Sequence, residues 1–203
     1  MTFGVDIETI PDLSMTHLLP EIEGDKRIKD KEKLQIDLEI KKQRQISNMA
    51  LNPLFAKIIC ICLWNPEEQY SLMGDEAEII SKFWKISNKH TIVTYNGKRF
   101  DMEVILKRGL KYNSVNFLLN RQLIEQYKTG RHIDIMQQFS PNGNFEKLDI
   151  LAKIYLDESK KDIDFKEFPE LLKTEEGRQK ISTYCMQDAK IVYKLAEKMG
   201  FYL

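Results

Sequence analysis

The amino-acid sequence predicts an α/β fold in which helices flank a mixed sheet of four or five strands. Runs of apolar, often β-branched residues at 3–7, 57–64 and 91–95 have the composition and length of strands. Apolar residues recur every three or four positions in 99–110 and 175–199, which places them on one face of a helix. Because strands and helices are interspersed along the chain, a layered α/β domain is the expected architecture.

Local signals define the elements in the first half of the chain. Residues 57–64 (KIICICLW) are apolar on both faces, which is typical of a central strand. Residues 69–73 are expected to return beside that strand as the second arm of a hairpin. Asp75 and Glu78 then form a capping box that starts the next helix.

Turn and cap residues divide the second half. Asn96-Gly97 ends the strand at 91–95, and a helix follows it. Asn144 is expected to cap a helix that contains Leu148 and its apolar neighbours. Gly200 follows the last helix, where a glycine commonly ends one.

The length and charge of the chain limit its class. We expect a single domain over residues 1–203, and the strand that starts directly after Met1 favours an intact protein over a fragment. Basic and acidic residues number 31 each, so the chain lacks the positive field of a non-specific nucleic-acid coat, although a local basic patch remains open. We find no apolar run near the ~20 residues of a membrane span and no signal-peptide pattern, and we expect a cytoplasmic protein.

The three cysteines, Cys60, Cys62 and Cys185, are odd in number and match no zinc-binding spacing. We expect reduced, buried thiols. Residues 21–47 carry eight Lys or Arg and seven Asp or Glu around few apolar residues. This composition favours a solvated, charged excursion, helical or flexible, over a clamp for a substrate or partner.

Two acids interrupt the first strand, in the sequence GVDIETIPD at residues 4–12. Strand alternation places Phe3 and Ile7 on one face, and Asp6 and Glu8 on the other. Buried carboxylates that lie about 7 Å apart repel each other and lose solvation, so a cation or a shared proton must compensate for them.

Two further acids occupy informative positions. Asp101, in NGKRFD, lies just past the carboxyl end of a strand, where ligands of open α/β sheets gather. Asp188, in YCMQDA, takes a position in the core-facing stripe of the last helix, and Tyr184 lies one turn earlier on the same face. Asp6, Glu8, Asp101 and Asp188 offer only oxygen ligands, which suit Mg²⁺ or Mn²⁺ rather than zinc.

These three motifs resemble those of the DEDDy 3'–5' exonucleases, which have an RNase H-like fold. The likeness is greatest to the proofreading exonuclease domains of family B DNA polymerases and to small stand-alone bacterial proteins related to them. The resemblance covers nearly the whole chain, and residues 51–61 and 131–136 also look like connecting segments of the stand-alone group. It implies two Mg²⁺ or Mn²⁺ ions as cofactors and the 3' end of single-stranded nucleic acid as the partner.

The resemblance also implies roles for individual residues. Asp6, Glu8 and Asp188 would hold the ion that activates the attacking water, Asp6 would bridge to a second ion, and Asp101 would support that ion. Thr183 stands where a sister subgroup has a histidine, so the chain fits the tyrosine subgroup, in which the hydroxyl of Tyr184 orients the water.

Substrate contacts follow from the same motifs. Thr9 and Ile10 are expected to meet the terminal nucleotide, and Asn96, Arg99 and Phe100 its sugar and base. We also expect a local basic patch, at Lys98, Arg99, Lys107, Arg108 and Lys111. His132 and Asp134 are candidates for a place near the site, and for His132 a structural role is favoured over a functional one.

The sequence therefore predicts an exonuclease that acts on single-stranded DNA by a two-metal mechanism and releases nucleoside 5'-monophosphates. Proofreading would need a partner protein, and repair or end-trimming is an equal possibility. An exoribonuclease of RNase D type and a nucleic-acid-binding module without turnover remain the alternatives.

Overall fold

The computed structural model describes residues 1–159 and 163–201, and in this part of the chain five strands form one sheet. The strands are β1 (Thr2–Pro11), β2 (Ala56–Trp64), β3 (Gln69–Met73), β4 (Thr91–Thr94) and β5 (His132–Asp134). Their order is β3-β2-β1-β4-β5. The first three strands pair antiparallel, and β4 and β5 add parallel on the other side of β1. The prediction of an α/β, RNase H-like mixed sheet is confirmed.

Eight helices and three 3₁₀ turns accompany the sheet in the described ranges. The helices are α1 (Lys31–Met49), α2 (Glu76–Ser87), α3 (Asp101–Lys111), α4 (Phe117–Asn120), α5 (Ile135–Phe139), α6 (Leu148–Leu156), α7 (Phe168–Leu171) and α8 (Glu175–Lys198). The 3₁₀ turns are Leu13–Leu18, Arg121–Ile124 and Phe165–Glu167. None of these helices is long and apolar enough to cross a membrane.

The sheet separates two apolar layers. On one face, Phe3, Val5 and Ile7 of β1 pack with α2 and α3 in the largest core cluster. On the other face, α8 crosses β1 and β2, where Ile181 and Ala189 are fully buried. The strand alternation predicted for β1 is therefore confirmed, and its acidic face is the one that α8 covers.

Gly4 allows α8 to lie directly on that face. A Cβ added at Gly4 would stand 2.1 Å from the carbonyl oxygen of Ala189 and 2.9 Å from the Cβ of Tyr193. Both neighbours belong to α8, and one of them is backbone, so the helix would have to move. The small residue before Asp6 thus sets the distance between β1 and α8.

Replacement of Gly4 by alanine should lower the free energy of unfolding by about 1–3 kcal/mol, because overpacking displaces a buried helix. Urea denaturation measures the loss. Gly130 is the matched control, since a Cβ there meets nothing within 4 Å. Gly130→Ala should change stability by less than about 0.5 kcal/mol. Equal stability of the two variants would contradict the close contact.

Some expected elements differ from the structure. The helix predicted to start from an Asn144 cap begins at Leu148, and Lys147 precedes it without a side-chain cap. Strand β5 was not predicted, since three residues are too few for a periodic signal. The charged segment 21–47 runs into the long helix α1, which Asp30 caps by accepting from the backbone N–H groups of Glu32 and Lys33.

Candidate active site

A cavity of about 270 Å³ opens where β1, the end of β4 and helix α8 meet. Eight of the predicted site residues line this cavity: Asp6, Glu8, Thr9, Asn96, Phe100, Asp101, Tyr184 and Asp188. Positions up to 182 residues apart in sequence are thus brought to one opening. The sheet carries one wall, and α8 carries the opposite wall.

The four carboxylates reach the cavity from three elements. Asp6 and Glu8 project from β1 and pair across the antiparallel ladder with Cys62 and Cys60. Asp101 is the first residue of α3 and Asp188 lies on the buried face of α8, and each is 5 % exposed. Asp6 and Glu8, together with Cys185, place ligand atoms within 4.8 Å of one another.

A β-bulge shapes the end of the first motif. The register between β1 and β2 shifts between Glu8 and Thr9. Bulges are frequent beside functional sites because they redirect a side chain. The hydroxyl of Thr9 donates to the carbonyl oxygen of Ala50 at 2.7 Å, which ties the bulge to the segment after α1.

Asp101 is the acid whose protonation the site perturbs most clearly. Burial, together with the charges of Asp134 and Asp188, raises the pKa of Asp101 to about 7, against the lowering effect of backbone N–H groups that include that of Ile7. The hydrogen bond from Ile7, the residue between Asp6 and Glu8 in the sequence, places this carboxyl against β1. Burial and the neighbouring acids thus both favour the protonated form of this carboxyl.

Asp134 fixes the loop that precedes Asp101. Its two carboxylate oxygens accept from the backbone N–H groups of Asn96, at 2.9 Å, and of Lys98, at 3.0 Å. Asn96 has a φ of 65°, a left-handed conformation that asparagine tolerates better than most residues. The fully buried Asp134 therefore holds the turn that delivers Asp101 to the site.

His132, the first residue of β5, has the structural role that the sequence favours. Its Nε2 pairs with the hydroxyl of Thr94 at 2.7 Å, and its Nδ1 pairs with the carbonyl oxygen of Leu123. Burial lowers its pKa to about 3, so the imidazole is neutral at physiological pH. This residue supports β4 and does not reach the cavity.

Two of the expected substrate contacts do not line the cavity. Ile10 packs on the apolar cluster between β2 and α8. Arg99 is exposed, and its Nε donates to Gln126 while its guanidinium lies 5.5 Å from the centre of the Phe145 ring. The structure therefore does not bring these two side chains to the carboxylates.

The predicted basic patch is wrong for two of its five residues. Lys98 and Arg108 are each only 2 % exposed. The ammonium group of Lys98 donates to the carbonyl oxygens of Glu125 and Lys128. Arg108 lies on the inner face of α3, where Glu76 and Asp12 neutralise its charge. Both charges are used inside the fold and do not contribute to the protein surface.

Sequence reasoning missed an apolar rim on the cavity. Phe165 and Leu51 line the opening and are 47 % and 63 % exposed. Tyr95, directly before Asn96, and the buried Phe168 complete this part of the lining. Phe165 and Leu51 differ from core residues only in their exposure to solvent, and exposure cannot be read from a sequence.

Comparison with known proteins identifies the family. Residues 51–199 match the model of a family described as a predicted 3'-5' exonuclease related to the exonuclease domain of PolB. The chain belongs to this family. The matched range contains Asp101, Tyr184 and Asp188, whereas Asp6 and Glu8 precede it.

DNA polymerases are similar to parts of this exonuclease-family chain. The DNA polymerase of Thermococcus gorgonarius is 25 % identical over 144 residues, which cover 63 % of this chain and 18 % of the polymerase. The DNA polymerase catalytic subunit of Murid herpesvirus 1 (strain Smith) is 42 % identical over 64 residues, which cover 31 % of this chain and 6 % of the subunit. The chain thus spans only a small fraction of these relatives.

The fold matches a polymerase structure as well. The family B DNA polymerase from the hyperthermophilic archaeon Pyrobaculum calidifontis superposes with a TM-score of 0.62 at 15 % identity. The match covers 98 % of this chain and 24 % of the polymerase chain, so it extends beyond the range that the family model matches. At this level of identity, the likeness concerns the fold.

Proposed function

We propose that the protein is a 3'–5' exonuclease of the tyrosine (DEDDy) subgroup that hydrolyses single-stranded DNA to nucleoside 5'-monophosphates. The observation that carries the proposal is the convergence of Asp6, Glu8, Asp101 and Asp188 with Tyr184 in one cavity. Four acids gathered around one opening are costly for the fold, which is the usual sign of a cation site.

The donor set fits two Mg²⁺ or Mn²⁺ ions, because carboxylate oxygens are the ligands that these hard cations prefer. Asp6, Glu8 and Asp188 would hold one ion, and Asp6 and Asp101 the other. Bound ions would supply activation of the attacking water and neutralisation of the leaving oxygen. The raised pKa of Asp101 fits this role, since a cation would stabilise the ionised carboxylate against burial and against the repulsion of Asp134 and Asp188.

The chain's own residues position the substrate. Phe100 and Phe165 lie on the rim of the cavity and offer rings on which nucleobases can stack, each stacked base being worth about 1–3 kcal/mol. Asn96 and Thr9 offer polar contacts beside the acids.

Degradation of labelled oligonucleotides tests the proposal directly. A 5'-labelled single-stranded DNA should yield a ladder that shortens from its 3' end only when Mg²⁺ or Mn²⁺ is present. An RNA of the same sequence should be degraded more slowly. Faster RNA cleavage would favour an RNase D-type activity, and binding without cleavage would favour the non-catalytic alternative.

We infer that residues 1–203 form one exonuclease domain, with residues 21–47 as a charged excursion, of the stand-alone bacterial type and located in the cytoplasm. Such a domain would act in DNA repair, in end-trimming, or in proofreading together with a polymerase partner. Size-exclusion chromatography of the purified chain, followed by the oligonucleotide assay, would show whether it is active alone.

Tyr184→Phe should slow cleavage by about ten- to a hundredfold, because only the orientation of the water is lost while the carboxylates remain. A phenol with a pKa near 10 is a poor base at neutral pH, so deprotonation does not depend on it. Single-turnover rates on single-stranded DNA measure the effect. Tyr155→Phe on α6 is the control and should leave the rate unchanged. A rate for Tyr184→Phe equal to that of a carboxylate variant would contradict a purely orienting hydroxyl.

Asp101→Asn should stabilise the metal-free protein at pH 8. The folded pKa of Asp101, about 7, lies above its ordinary value of 3.8. Its contribution to stability is therefore complete below about pH 4 and is lost as the pH rises through 7. Three pKa units correspond to at most about 4 kcal/mol. Urea denaturation in EDTA at pH 4 and pH 8 should show the gain only at pH 8, and a gain of equal size at both would contradict the shift.

A further inference from the structure

Three thiols lie together directly behind the acidic cavity. Cys60, Cys62 and Cys185 are fully buried and reduced, and their sulfur atoms all lie within 4.8 Å of one another. This group is not predictable from the sequence, since two of its members are on β2 and the third is more than 120 residues away on α8. The proposed exonuclease chemistry does not use them.

The sheet register explains how the thiols meet. Cys60 and Cys62 are two residues apart on β2, so both side chains point to the face that α8 covers. They pair across the ladder with Glu8 and Asp6. Cys185 approaches from α8, and its Sγ donates to the carbonyl oxygen of Asp6 at 3.3 Å. Thiols and carboxylates therefore form two adjacent rows on one face of the sheet.

From this geometry we propose that Cys60, Cys62 and Cys185 form a binding site for a thiophilic d¹⁰ cation such as Zn²⁺ or Cd²⁺. In a tetrahedral zinc site with Zn–S bonds of about 2.3 Å, two sulfur ligands stand about 3.8 Å apart. The Sγ atoms of Cys60 and Cys62 are 3.7 Å apart. The spacing of this pair thus already matches two ligands of one ion, and Cys185 supplies the third.

A hydrogen-bonded pair of serines lies beside the thiols. The hydroxyls of Ser71 and Ser182 are 2.6 Å apart and bridge β3 and α8 above Cys60, whose Sγ is 3.9 Å from Ser71 Oγ. Both serines line a solvent-facing groove. Cys60 thus lies one side chain away from this groove.

The thiol site and the carboxylate site differ in the hardness of their ligand atoms. Thiolates select soft and borderline cations, and carboxylates select Mg²⁺ and Mn²⁺. The two groups adjoin at Cys185, which also lies within 4.8 Å of the ligand atoms of Asp6 and Glu8. A competition between cations therefore distinguishes them.

Titration of the reduced, metal-free full chain with Cd²⁺ tests the proposal. We expect about one equivalent to bind, with the ultraviolet charge-transfer absorbance of cadmium thiolates, and a hundredfold excess of Mg²⁺ to leave that absorbance unchanged. The readout does not involve nuclease activity, so it stands or falls independently of the proposed function. No charge-transfer absorbance, in the native chain or after refolding with Cd²⁺, would overturn the proposal.

Cysteine-to-serine variants test which thiols bind the Cd²⁺ ion. Cys62→Ser and Cys60→Ser should each weaken Cd²⁺ binding by roughly tenfold or more. Circular dichroism should first show that each variant is folded. Glu8→Gln is the control, because it removes a neighbouring carboxylate and no thiol, and it should retain the full absorbance. Unchanged affinity in both folded serine variants, or loss of the absorbance in Glu8→Gln, would overturn the assignment.

Discussion

Replacement of Asp188 by asparagine should reduce exonuclease activity by roughly a thousandfold or more, which corresponds to about 4 kcal/mol of lost transition-state stabilisation. Asparagine keeps the shape of the side chain and removes the negative charge that a divalent cation requires. Asp6→Asn should have an effect of the same size, since Asp6 would contact both ions. Single-turnover cleavage of 5'-labelled single-stranded DNA in saturating Mn²⁺ measures both.

The fold of these variants should survive. Asp188 is 5 % exposed and occupies a position in α8 where an apolar residue would ordinarily stand. Loss of its charge relieves repulsion from Asp101, so the melting temperature in EDTA should stay the same or rise. Glu197→Gln is the matched control, an exposed acid on the same helix, and it should retain full activity. Activity of Asp188→Asn within tenfold of the wild type would refute the proposed site.

The sequence predicted the acidic face of β1 because a strand has a period of two. That period separates Phe3 and Ile7 from Asp6 and Glu8 without any knowledge of the partners. The helical period did the same for Asp188 on α8. These residues could be found because each violates a pattern that its own element imposes.

Other features depend on contacts that no local pattern encodes. The three-residue strand β5 forms because it pairs with the edge of β4, and its own sequence is too short to specify a strand. The sequence places Arg108 in a surface patch, because a helical period shows which face of the helix a residue is on. It does not show that acids from other elements, Asp12 and Glu76, pair with Arg108 on that face. The apolar rim at Phe165 and the thiol cluster around Cys185 likewise arise only when distant segments meet.

Arg108→Ala should lower the free energy of unfolding by about 3–5 kcal/mol, because removal of one member of a buried ion pair leaves the other charge uncompensated. Arg108 Nε donates to Glu76 Oε1 at 2.8 Å, and its Nη2 lies 2.9 Å from Asp12 Oδ2. Glu76 also accepts from the backbone N–H of Ile58 at 2.7 Å. One guanidinium therefore joins α3 to the start of α2 and to the end of β1.

Urea denaturation of Arg108→Ala beside Lys107→Ala isolates this effect. Lys107 is the preceding residue of α3, and its ammonium pairs with Glu103 at 2.7 Å on a part-exposed face. Loss of such a pair costs at most about 1 kcal/mol. Tyr112→Phe removes only the hydroxyl that donates to Glu76 and should give an intermediate loss of about 1–2 kcal/mol. Since Arg108 holds both the helix that begins at Asp101 and the strand that carries Asp6, a loss similar to that of Lys107→Ala would mean that the two acidic motifs are held in place by apolar packing alone.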